Sequence, residues 1–278
     1  MVRKIITHQR PGHADDILAV ALLSQKYPGA EIEFISPQSP ELEKYKNDPS
    51  IILVDVGKDY SPEKKNYDHH QNADLPCSLV LVLRHEFPEY YQLIEKSPLL
   101  KESLEFIDYK DRFGAKKVEE ITGINPVGSF LLEELVVKSL GKTPEGLKTL
   151  GKAIVERLEE ELQLRKALSS VERKEIDGLK VILDPVGIPI QVMMQEFGKD
   201  AFDLVIQRNI RNPQHTSITR NSFSPRADEI DLEPLREEAS FFHQTGFMCV
   251  LPEPFEKVAE RAEEIVEQVL DEGESPSP

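Results

Sequence analysis

The sequence contains few of the features that stabilise small secreted proteins or anchor membrane proteins. Cys77 and Cys249 are the only cysteines among 278 residues, so we expect no disulfide framework and predict two small buried thiols. No apolar run approaches the roughly 20 residues that span a bilayer, and the basic N-terminus lacks the apolar core of a signal peptide. We therefore expect a cytoplasmic protein that has no membrane partner.

Basic residues are scarce relative to acidic ones. The chain has 34 lysines and arginines against 50 aspartates and glutamates, a formal net charge of −16. Long nucleic acids are bound non-specifically through many lysines and arginines that displace counterions, so this composition argues against such a groove. A short oligonucleotide needs only a local basic pocket. The composition therefore leaves a small phosphate substrate open.

The first half of the chain has the pattern of an α/β domain. Its length and a hydrophobic fraction of 39% allow two cores. Short apolar segments alternate with longer periodic ones, which predicts a βαβ unit. The predicted strands are 4–7, 31–35 and 51–56, and the predicted helices are 16–26, 73–87, 100–109 and 127–140. A highly charged helix at 144–173 follows, and its length indicates a connector between domains.

The second half repeats this alternation. Its predicted strands are 179–183, 202–208, 216–220 and 246–251, with helices at 188–197 and 253–270. The fold class is therefore α/β, with an N-terminal parallel-sheet domain, a helical connector and a smaller α/β C-terminal domain. We expect the N-terminal domain at 1–143, the connector at 144–175, the C-terminal domain at 176–271 and a disordered tail at 272–278.

Acidic and imidazole side chains follow the apolar segments of the first domain. The run 67–71, Tyr-Asp-His-His-Gln, comes soon after the segment 51–54, which ends at Asp55. His8, His13 and Asp15 follow the first apolar segment. Carboxyl ends of neighbouring parallel strands meet at one edge of a sheet, so we expect these side chains to converge. Mixed oxygen and nitrogen ligands without thiolate predict a site for two divalent metal ions, with Mn²⁺ expected and Mg²⁺ as the alternative.

These motifs carry a resemblance to a known family. The segments 7–19, 54–57 and 67–71 resemble the DHH phosphoesterase superfamily, and most closely its Myg-one exonuclease group. The segment 242–247 is similar to the C-terminal His-x-Ser-Gly-Phe element of that group. The resemblance implies that the N-terminal domain is a DHH-type parallel-sheet domain. It also implies a hydrolase that cleaves phosphoesters with bound metal.

The resemblance further implies a role for each site residue. His8, His13 and Asp55 would hold one metal ion, while Asp15, Asp55, His69 and a later aspartate would hold the other. Asp111 is favoured for that later aspartate, and Asp108, three residues earlier, is the alternative. The implied catalytic residues are His70, which would contact the phosphoryl group, and Asp68, which would orient an imidazole. Asp16 has two interpretations, as a first-turn residue of the following helix or as a further ligand.

The second domain is the expected source of substrate specificity. Arg208 and Arg220 lie in or beside predicted strands, and His243 precedes Gly246, where the backbone can approach a phosphate closely. The family resemblance implies that the chain is a 3′-to-5′ exonuclease acting on RNA or short oligonucleotides. The alternatives are a hydrolase of a small phosphoanhydride or cyclic nucleotide and a non-catalytic metal-binding regulatory protein. The oligomeric state is left open.

Overall fold

The structure is a computed structural model that describes residues 1–9, 12–123, 137 and 139–270. Arg10 and Pro11 of the first motif, most of the helix predicted at 127–140 and the whole tail predicted at 272–278 lie outside the described residues. Within those residues, no helix has both the length and the apolar character needed to cross a membrane.

A mainly parallel sheet forms the centre of the first part of the chain. Among the described residues its strands follow the order β2-β1-β3-β5-β4. Neighbours are parallel except β4, which is antiparallel to β5. The predicted βαβ unit is confirmed, whereas β4 and β5 are too short to show an alternating pattern. The strands are β1 (Lys4–His8), β2 (Glu31–Ile35), β3 (Ile51–Val54), β4 (Tyr60–Ser61) and β5 (Asn66–Tyr67).

Two helices of this part begin at a proline, and a third begins at a serine. Pro88 and Pro98 occupy first-turn positions, where a missing N–H costs nothing. The helix predicted from residue 73 begins only at Ser78, and the one predicted at 100–109 continues to Thr122 with a kink at Gly114. The helices are α1 (Ala14–Lys26), α2 (Leu42–Tyr45), α3 (Ser78–Glu86), α4 (Pro88–Lys96) and α5 (Pro98–Thr122). The helix α4 was not predicted.

A buried carboxylate ties the end of α3 to the sheet. Glu86 accepts hydrogen bonds from the ammonium groups of Lys26 at 2.7 Å and Lys65 at 2.9 Å. It also accepts from the hydroxyl groups of Tyr27 at 2.7 Å and Tyr67 at 2.8 Å. Burial opposes the charge of Glu86, but these donors prevail and lower its pKa to about 2. The Tyr67 bond fixes β5 immediately before the Asp-His-His run.

We predict that Glu86→Gln lowers the free energy of unfolding by about 3 kcal/mol at pH 7. The pKa of Glu86 is about 2 in the folded protein and 4.5 in the unfolded chain, and this difference corresponds to that free energy. Since the folded pKa is lowered, the stabilisation is complete above pH 4.5 and is lost as the pH falls towards 2. Urea unfolding at pH 7 and pH 3 measures the effect. The exposed Glu102→Gln is the matched control, and an equal loss at both pH values would contradict the prediction.

The chain divides into two compact units, Met1–Leu162 and Gln163–Pro278. The boundary falls inside a sixth described helix, α6 (Pro144–Ala167). This helix was predicted to reach residue 173, but it ends earlier and a strand begins at Glu172. The cause is a hairpin whose turn residues, Asp177 and Gly178, both have positive φ. An Asp-Gly pair is a strong hairpin signal. The helical pattern was extended to residue 173, so the strand that leads into this turn was not predicted.

The second unit contains a mixed sheet with helices. In the described residues its strands follow the order β10-β11-β9-β8-β7-β6, with β7 and β8 parallel and the other neighbours antiparallel. The α/β fold class is confirmed for both units. The strands are β6 (Glu172–Ile176), β7 (Leu179–Asp184), β8 (Leu204–Arg208), β9 (Thr216–Arg220), β10 (Phe241–Phe242) and β11 (Met248–Leu251).

The predicted C-terminal helix is divided in two. The helices of the second unit are α7 (Ile190–Phe197), α8 (Phe255–Glu260) and α9 (Ala262–Val269). Between α8 and α9, Arg261 leaves the helical conformation and forms ion pairs with Glu253 at 2.7 Å and Glu238 at 2.9 Å. The apolar positions continue across the break and stay buried, which is why the sequence pattern resembles one helix.

Candidate metal centre

Polar residues at the ends of three neighbouring strands lie at one edge of the first sheet. His8 is the last residue of β1, Asp55 follows β3, and the run Asp68-His69-His70 follows β5. Thr7 pairs with Val54, which pairs in turn with Tyr67, so the three strand ends are aligned. This convergence is the arrangement expected from parallel strands.

The ring of His8 is held so that one nitrogen remains available at this edge. Its Nδ1 donates to the carbonyl of Gln9 at 2.8 Å, which leaves the lone pair on Nε2. Nε2 lies 3.5 Å from Asp55 Oδ2. A backbone acceptor on the far nitrogen is the usual support for a metal-binding histidine.

Asp55 lies between the histidines. Its Oδ1 is 3.3 Å from Nε2 of His69 and 3.5 Å from Nδ1 of His70, and its Oδ2 is the atom near His8. The residue is buried and adopts a left-handed backbone with φ of 58°. Non-glycine residues in this conformation concentrate at functional sites, where strain fixes a side chain. Asp55 is therefore placed to share its two oxygens between neighbouring sites.

The start of α1 adds further ligand-type side chains. Asp15 is fully buried, and neither of its carboxylate oxygens has a hydrogen-bond partner. Burial and the charges of Asp55 and Asp111 raise its pKa well above the ordinary value. Buried carboxylates without partners are costly, and a bound cation removes that cost. Asp15 is thus the clearest sign that these residues fit divalent metal ions.

Asp16 has a different environment. Its Oδ1 accepts a hydrogen bond from the backbone N–H of His13 at 2.6 Å, and its Oδ2 accepts one from the hydroxyl of Thr7 at 3.1 Å. Of its two interpretations, the first-turn role has these contacts in its favour.

The two candidate aspartates of α5 lie in different surroundings. Asp111 Oδ1 is 3.3 Å from His13 Nδ1, and its Oδ2 is 2.9 Å from His69 Nε2, without the alignment of a hydrogen bond. Burial opposes its charge, but these two histidines prevail and hold its pKa well below the usual range. Asp108 instead accepts from the backbone N–H of Cys77 at 2.6 Å and pairs with Arg112 at 3.0 Å. The structure brings Asp111, and not Asp108, to the other ligand-type residues.

Ligand-type atoms form three overlapping groups among the described residues. Within each group, the atoms lie within 4.8 Å of one another. Asp55 belongs to two groups and His13 to two, so the groups form one continuous cluster, which we call the metal centre. Carboxylate oxygens together with imidazole nitrogens suit Mn²⁺ and related cations. The groups are His8-His13-Asp55, Asp55-His69-His70 and His13-Asp15-Asp111.

Two histidines of the centre, His13 and His69, have raised pKa values because they lie beside carboxylates. For His69, burial disfavours the charged ring, but the contacts with Asp111 and Asp55 raise its pKa to about 10. A hydrogen bond to Asp111 raises the pKa of His13. The excess of buried carboxylates therefore takes up protons where cations would otherwise neutralise it.

His70 belongs to the centre and forms a hydrogen-bonded pair with Asp68, which lies outside the three groups. His70 Nδ1 donates to Asp68 Oδ1 at 2.7 Å, and the backbone N–H of Lys58 donates to Asp68 Oδ2 at 2.7 Å. The hydrogen bond between His70 and Asp68 raises the pKa of His70. The half-exposed His70 ring, together with His8, His13 and Asp55, lines a cavity of about 240 Å³. The predicted placement of Asp68 beside an imidazole matches this geometry. His70, in contrast, lies nearer to Asp55 than expected from an assignment to phosphate alone.

The arginines predicted to bind substrate make contacts within the second unit. Arg208 donates from Nε to the carbonyl of Pro185 at 2.6 Å and forms an ion pair with Glu256. Arg220 donates from Nη1 to the carbonyl of Ile230 at 2.8 Å. These contacts show how each guanidinium is held, and the substrate role of both stays a prediction.

His243 and Gly246 form a turn next to β10. His243 Nδ1 lies 2.9 Å from the hydroxyl oxygen of Thr245, and its ring is 4.4 Å from the ring of Phe247. Gly246 has φ of 68°, and a Cβ atom there would meet nothing within 4 Å. Backbone conformation, and not close packing, is the reason for glycine at this position. The substrate role of this turn also stays a prediction.

One residue that contacts the centre, Ser78, had no signal in the sequence. The buried hydroxyl of Ser78 lies 3.1 Å from Asp55 Oδ1 and 2.8 Å from the carbonyl oxygen of Tyr67, to both of which it can donate. Serine at the start of a helix ordinarily suggests capping, so only the folded contact reveals its relation to Asp55.

We predict that Ser78→Ala weakens Mn²⁺ binding roughly ten-fold, the lower end of the effect seen when a partner of a metal ligand is removed. The carboxylate of Asp55 would lose its fixed orientation. Calorimetric titration with Mn²⁺ measures the change. Ser24→Ala is the matched control, because Ser24 is a buried serine that donates to the carbonyl of Ala21 within α1. Equal Mn²⁺ affinities in the two variants would exclude the proposed support.

The chain is similar to a known family over part of its length. Residues 4–74 match the MYG1 exonuclease family model, described as "Uncharacterised protein family (UPF0160)". The MYG1 exonuclease of Bos taurus is 39% identical over 70 residues, which are 25% of this chain and 17% of the relative. The human MYG1 exonuclease is 37% identical over 70 residues, 25% of this chain and 18% of the relative. The matched segment thus spans less than a fifth of these relatives.

Solved structures show likenesses of low score. A pGpG-specific phosphodiesterase, PggH of Vibrio cholerae, gives a TM-score of 0.33 at 13% identity, covering 96% of this chain and 99% of that one. An exonuclease RecJ bound to manganese gives 0.29 at 15% identity, covering 97% and 91%. Such scores say nothing about which reaction this chain performs. The sequence match includes His8, Asp55 and the Asp-His-His run, and it confirms the predicted resemblance of segments 7–19, 54–57 and 67–71 to the MYG1 exonuclease family. The match does not extend to segment 242–247, whose similarity stays a prediction.

Proposed function

We propose that this chain is a metal-dependent phosphoesterase that hydrolyses phosphodiester bonds at the metal centre. The observation that carries the proposal is Asp15, whose two buried oxygens have no partner and lie among histidines and carboxylates from three strand ends and α5. No packing requirement explains such a group. A cation does.

The first site of the ligand assignment coincides with one of the three groups, whereas the second site is taken from the family resemblance and draws on residues of all three groups. His8, His13 and Asp55 would hold one divalent ion, and Asp15, Asp55, His69 and Asp111 would hold the second, with Mn²⁺ preferred and Mg²⁺ as the alternative. When bound, such ions supply positive charge to phosphate oxygens and lower the pKa of water. Asp55 would be the shared ligand, because its two oxygens face different histidines.

His70 and Asp68 are assigned to the phosphoryl group. The bond to Asp68 fixes the His70 ring and favours its charged form, so the second ring nitrogen can donate a proton or a hydrogen bond to a phosphate oxygen. The Lys58 backbone N–H holds Asp68 from its other oxygen. The pair is therefore a preorganised donor at the edge of the metal centre.

The finer proposal is 3′-to-5′ exonuclease activity on RNA or short oligonucleotides. Two observations support it, the similarity of residues 4–74 to MYG1 exonucleases and a net charge that disfavours long polyanions. In this proposal His243, Gly246, Arg208 and Arg220 contribute the substrate contacts of the second unit.

A second candidate is hydrolysis of a small phosphoanhydride or cyclic nucleotide. The cavity of about 240 Å³ favours it, because this volume lies below that of most pockets for drug-sized ligands. The same centre would act on a smaller substrate. A non-catalytic metal-binding protein is the third candidate.

A substrate panel separates these candidates. The chain is stripped of metal, loaded with Mn²⁺ or Mg²⁺, and incubated with end-labelled RNA and DNA oligomers, dinucleotides, cyclic dinucleotides and pyrophosphate. Exonuclease activity predicts a ladder that shortens from the 3′ end, and the stripped protein is the control. Cleavage of cyclic dinucleotides or pyrophosphate alone would favour the second candidate. Metal binding without any product would leave only the third.

A further inference from the structure

Lys58 has an unusual backbone for a lysine. It follows Asp55 by three residues in the loop after β3, and its φ is 52°. Asp55 and Gly57 in the same loop also have positive φ, at 58° and 99°. An L-residue with a long side chain is disfavoured in this conformation, and glycine or asparagine would fit it better. Strain of this kind beside a cavity is a reason to look for a function of the residue, although Lys65 adopts a similar φ of 61° elsewhere.

The position of Lys58 is suited to binding an anion. Its side chain is exposed, and no described carboxylate forms an ion pair with its ammonium group. Other lysines of the first unit, such as Lys26 and Lys46, are paired with glutamates. Among the described residues that line the cavity beside the metal centre, Lys58 is the one with a lysine or arginine side chain. In a chain of net charge −16, this is a conspicuous local cation.

We propose that Lys58 is a specificity residue whose ammonium group binds a substrate phosphate adjoining the scissile one. The inference rests on the proposed phosphoesterase function. In the proposed function, the charge of the scissile phosphate would be neutralised by the metal ions and His70. A second phosphate of the substrate would be repelled by the carboxylates of the centre. A flexible cation at the cavity rim would therefore increase substrate affinity most by binding that second phosphate. The substrate class is therefore a short nucleotide with a phosphate next to the cleaved diester, in preference to a diester with a single phosphate.

The side chain and the backbone of Lys58 can be tested separately. Its backbone N–H supports Asp68, and this bond survives any substitution except proline. Asparagine tolerates positive φ, so Lys58→Asn removes the cation while relieving backbone strain. Lys58→Arg restores the charge. Lys44→Asn is the matched control, because Lys44 is an exposed lysine of α2 that does not line the cavity.

The experiment compares a 5′-phosphorylated dinucleotide with the same dinucleoside lacking that phosphate, using Mn²⁺-loaded protein. For Lys58→Asn we expect the ratio of kcat/KM values, phosphorylated over unphosphorylated, to fall roughly ten-fold, as for loss of one charged hydrogen bond. The loss should lie mainly in KM, and Mn²⁺ content should equal that of the wild type. Lys58→Arg should recover most of the preference, and Lys44→Asn should keep all of it.

Two outcomes would overturn the proposal, and both leave the substrate ratio unchanged. One is wild-type kcat/KM on both substrates in Lys58→Asn, and the other is an equal loss on both substrates, which would place Lys58 at the scissile phosphate. Calorimetric binding of the phosphorylated dinucleotide to both proteins gives a readout that does not depend on turnover. If the wild type cleaves neither dinucleotide, the proposed function fails, and an unchanged dissociation constant in Lys58→Asn would separately reject the lysine contact.

Discussion

Asp55→Asn is expected to lower phosphodiester hydrolysis by at least about a hundred-fold, more than the loss of a residue that only supports a ligand. The substitution removes charge from the one carboxylate whose two oxygens face both His8 and His69. The fold should persist, because asparagine accepts the left-handed backbone and can still accept a hydrogen bond from Ser78. Metal content, measured on the purified variant by elemental analysis, should fall together with turnover.

Asp177→Asn is the matched control for this variant. Asp177 also has a positive φ, 49°, but it lies in the exposed turn between β6 and β7. It therefore tests the same chemical change in the same backbone conformation without altering the metal centre. If Asp55→Asn retained two tightly bound ions and the turnover of the control, Asp55 could not be the shared ligand.

Asp15→Asn is expected to have opposite effects on stability with and without metal. In the metal-free protein, folding must either bury the Asp15 charge or take up a proton, and asparagine avoids both. We expect the metal-free variant to gain about 1–3 kcal/mol in free energy of unfolding at pH 7. With Mn²⁺ present, the wild type should be the more stable protein, because ligand binding stabilises only the folded state that retains its ligands.

The pH dependence of the metal-free wild type follows from the same group. Because the folded-state pKa of Asp15 is raised, the folded protein binds the proton more tightly than the unfolded chain. The destabilisation by Asp15 is therefore complete above the raised pKa and declines as the pH falls towards 3.8. Urea unfolding with chelator at pH 7 and pH 5 should show the advantage of Asp15→Asn shrinking at the lower pH. If Mn²⁺ raised the Tm of Asp15→Asn as much as it raises the Tm of the wild type, Asp15 would not be a ligand.

Sequence periodicity was sufficient for the parts of the site that depend on parallel strands. The apolar segments ending at His8 and before Asp55 predict strands. Parallel neighbouring strands have their carboxyl ends at the same edge of the sheet, independently of the conformation of the loops. The family-like run Asp68-His69-His70 was recognisable from its residues alone, although β5 itself has only two residues. The α/β class, the N-terminal βαβ unit and the candidate ligands of this edge were therefore determined by the sequence.

Tertiary structure decided the features that depend on which side of an element faces the centre. Asp108 and Asp111 differ by three positions, about 60° around a helix, so sequence spacing alone left both as candidates. The contact of Asp108 with the start of α3 directs it elsewhere and leaves Asp111 beside His13 and His69. The relation of Ser78 to Asp55 and the backbone strain of Lys58 likewise arise from loop geometry, because no periodic pattern encodes a left-handed φ or a contact across 23 residues.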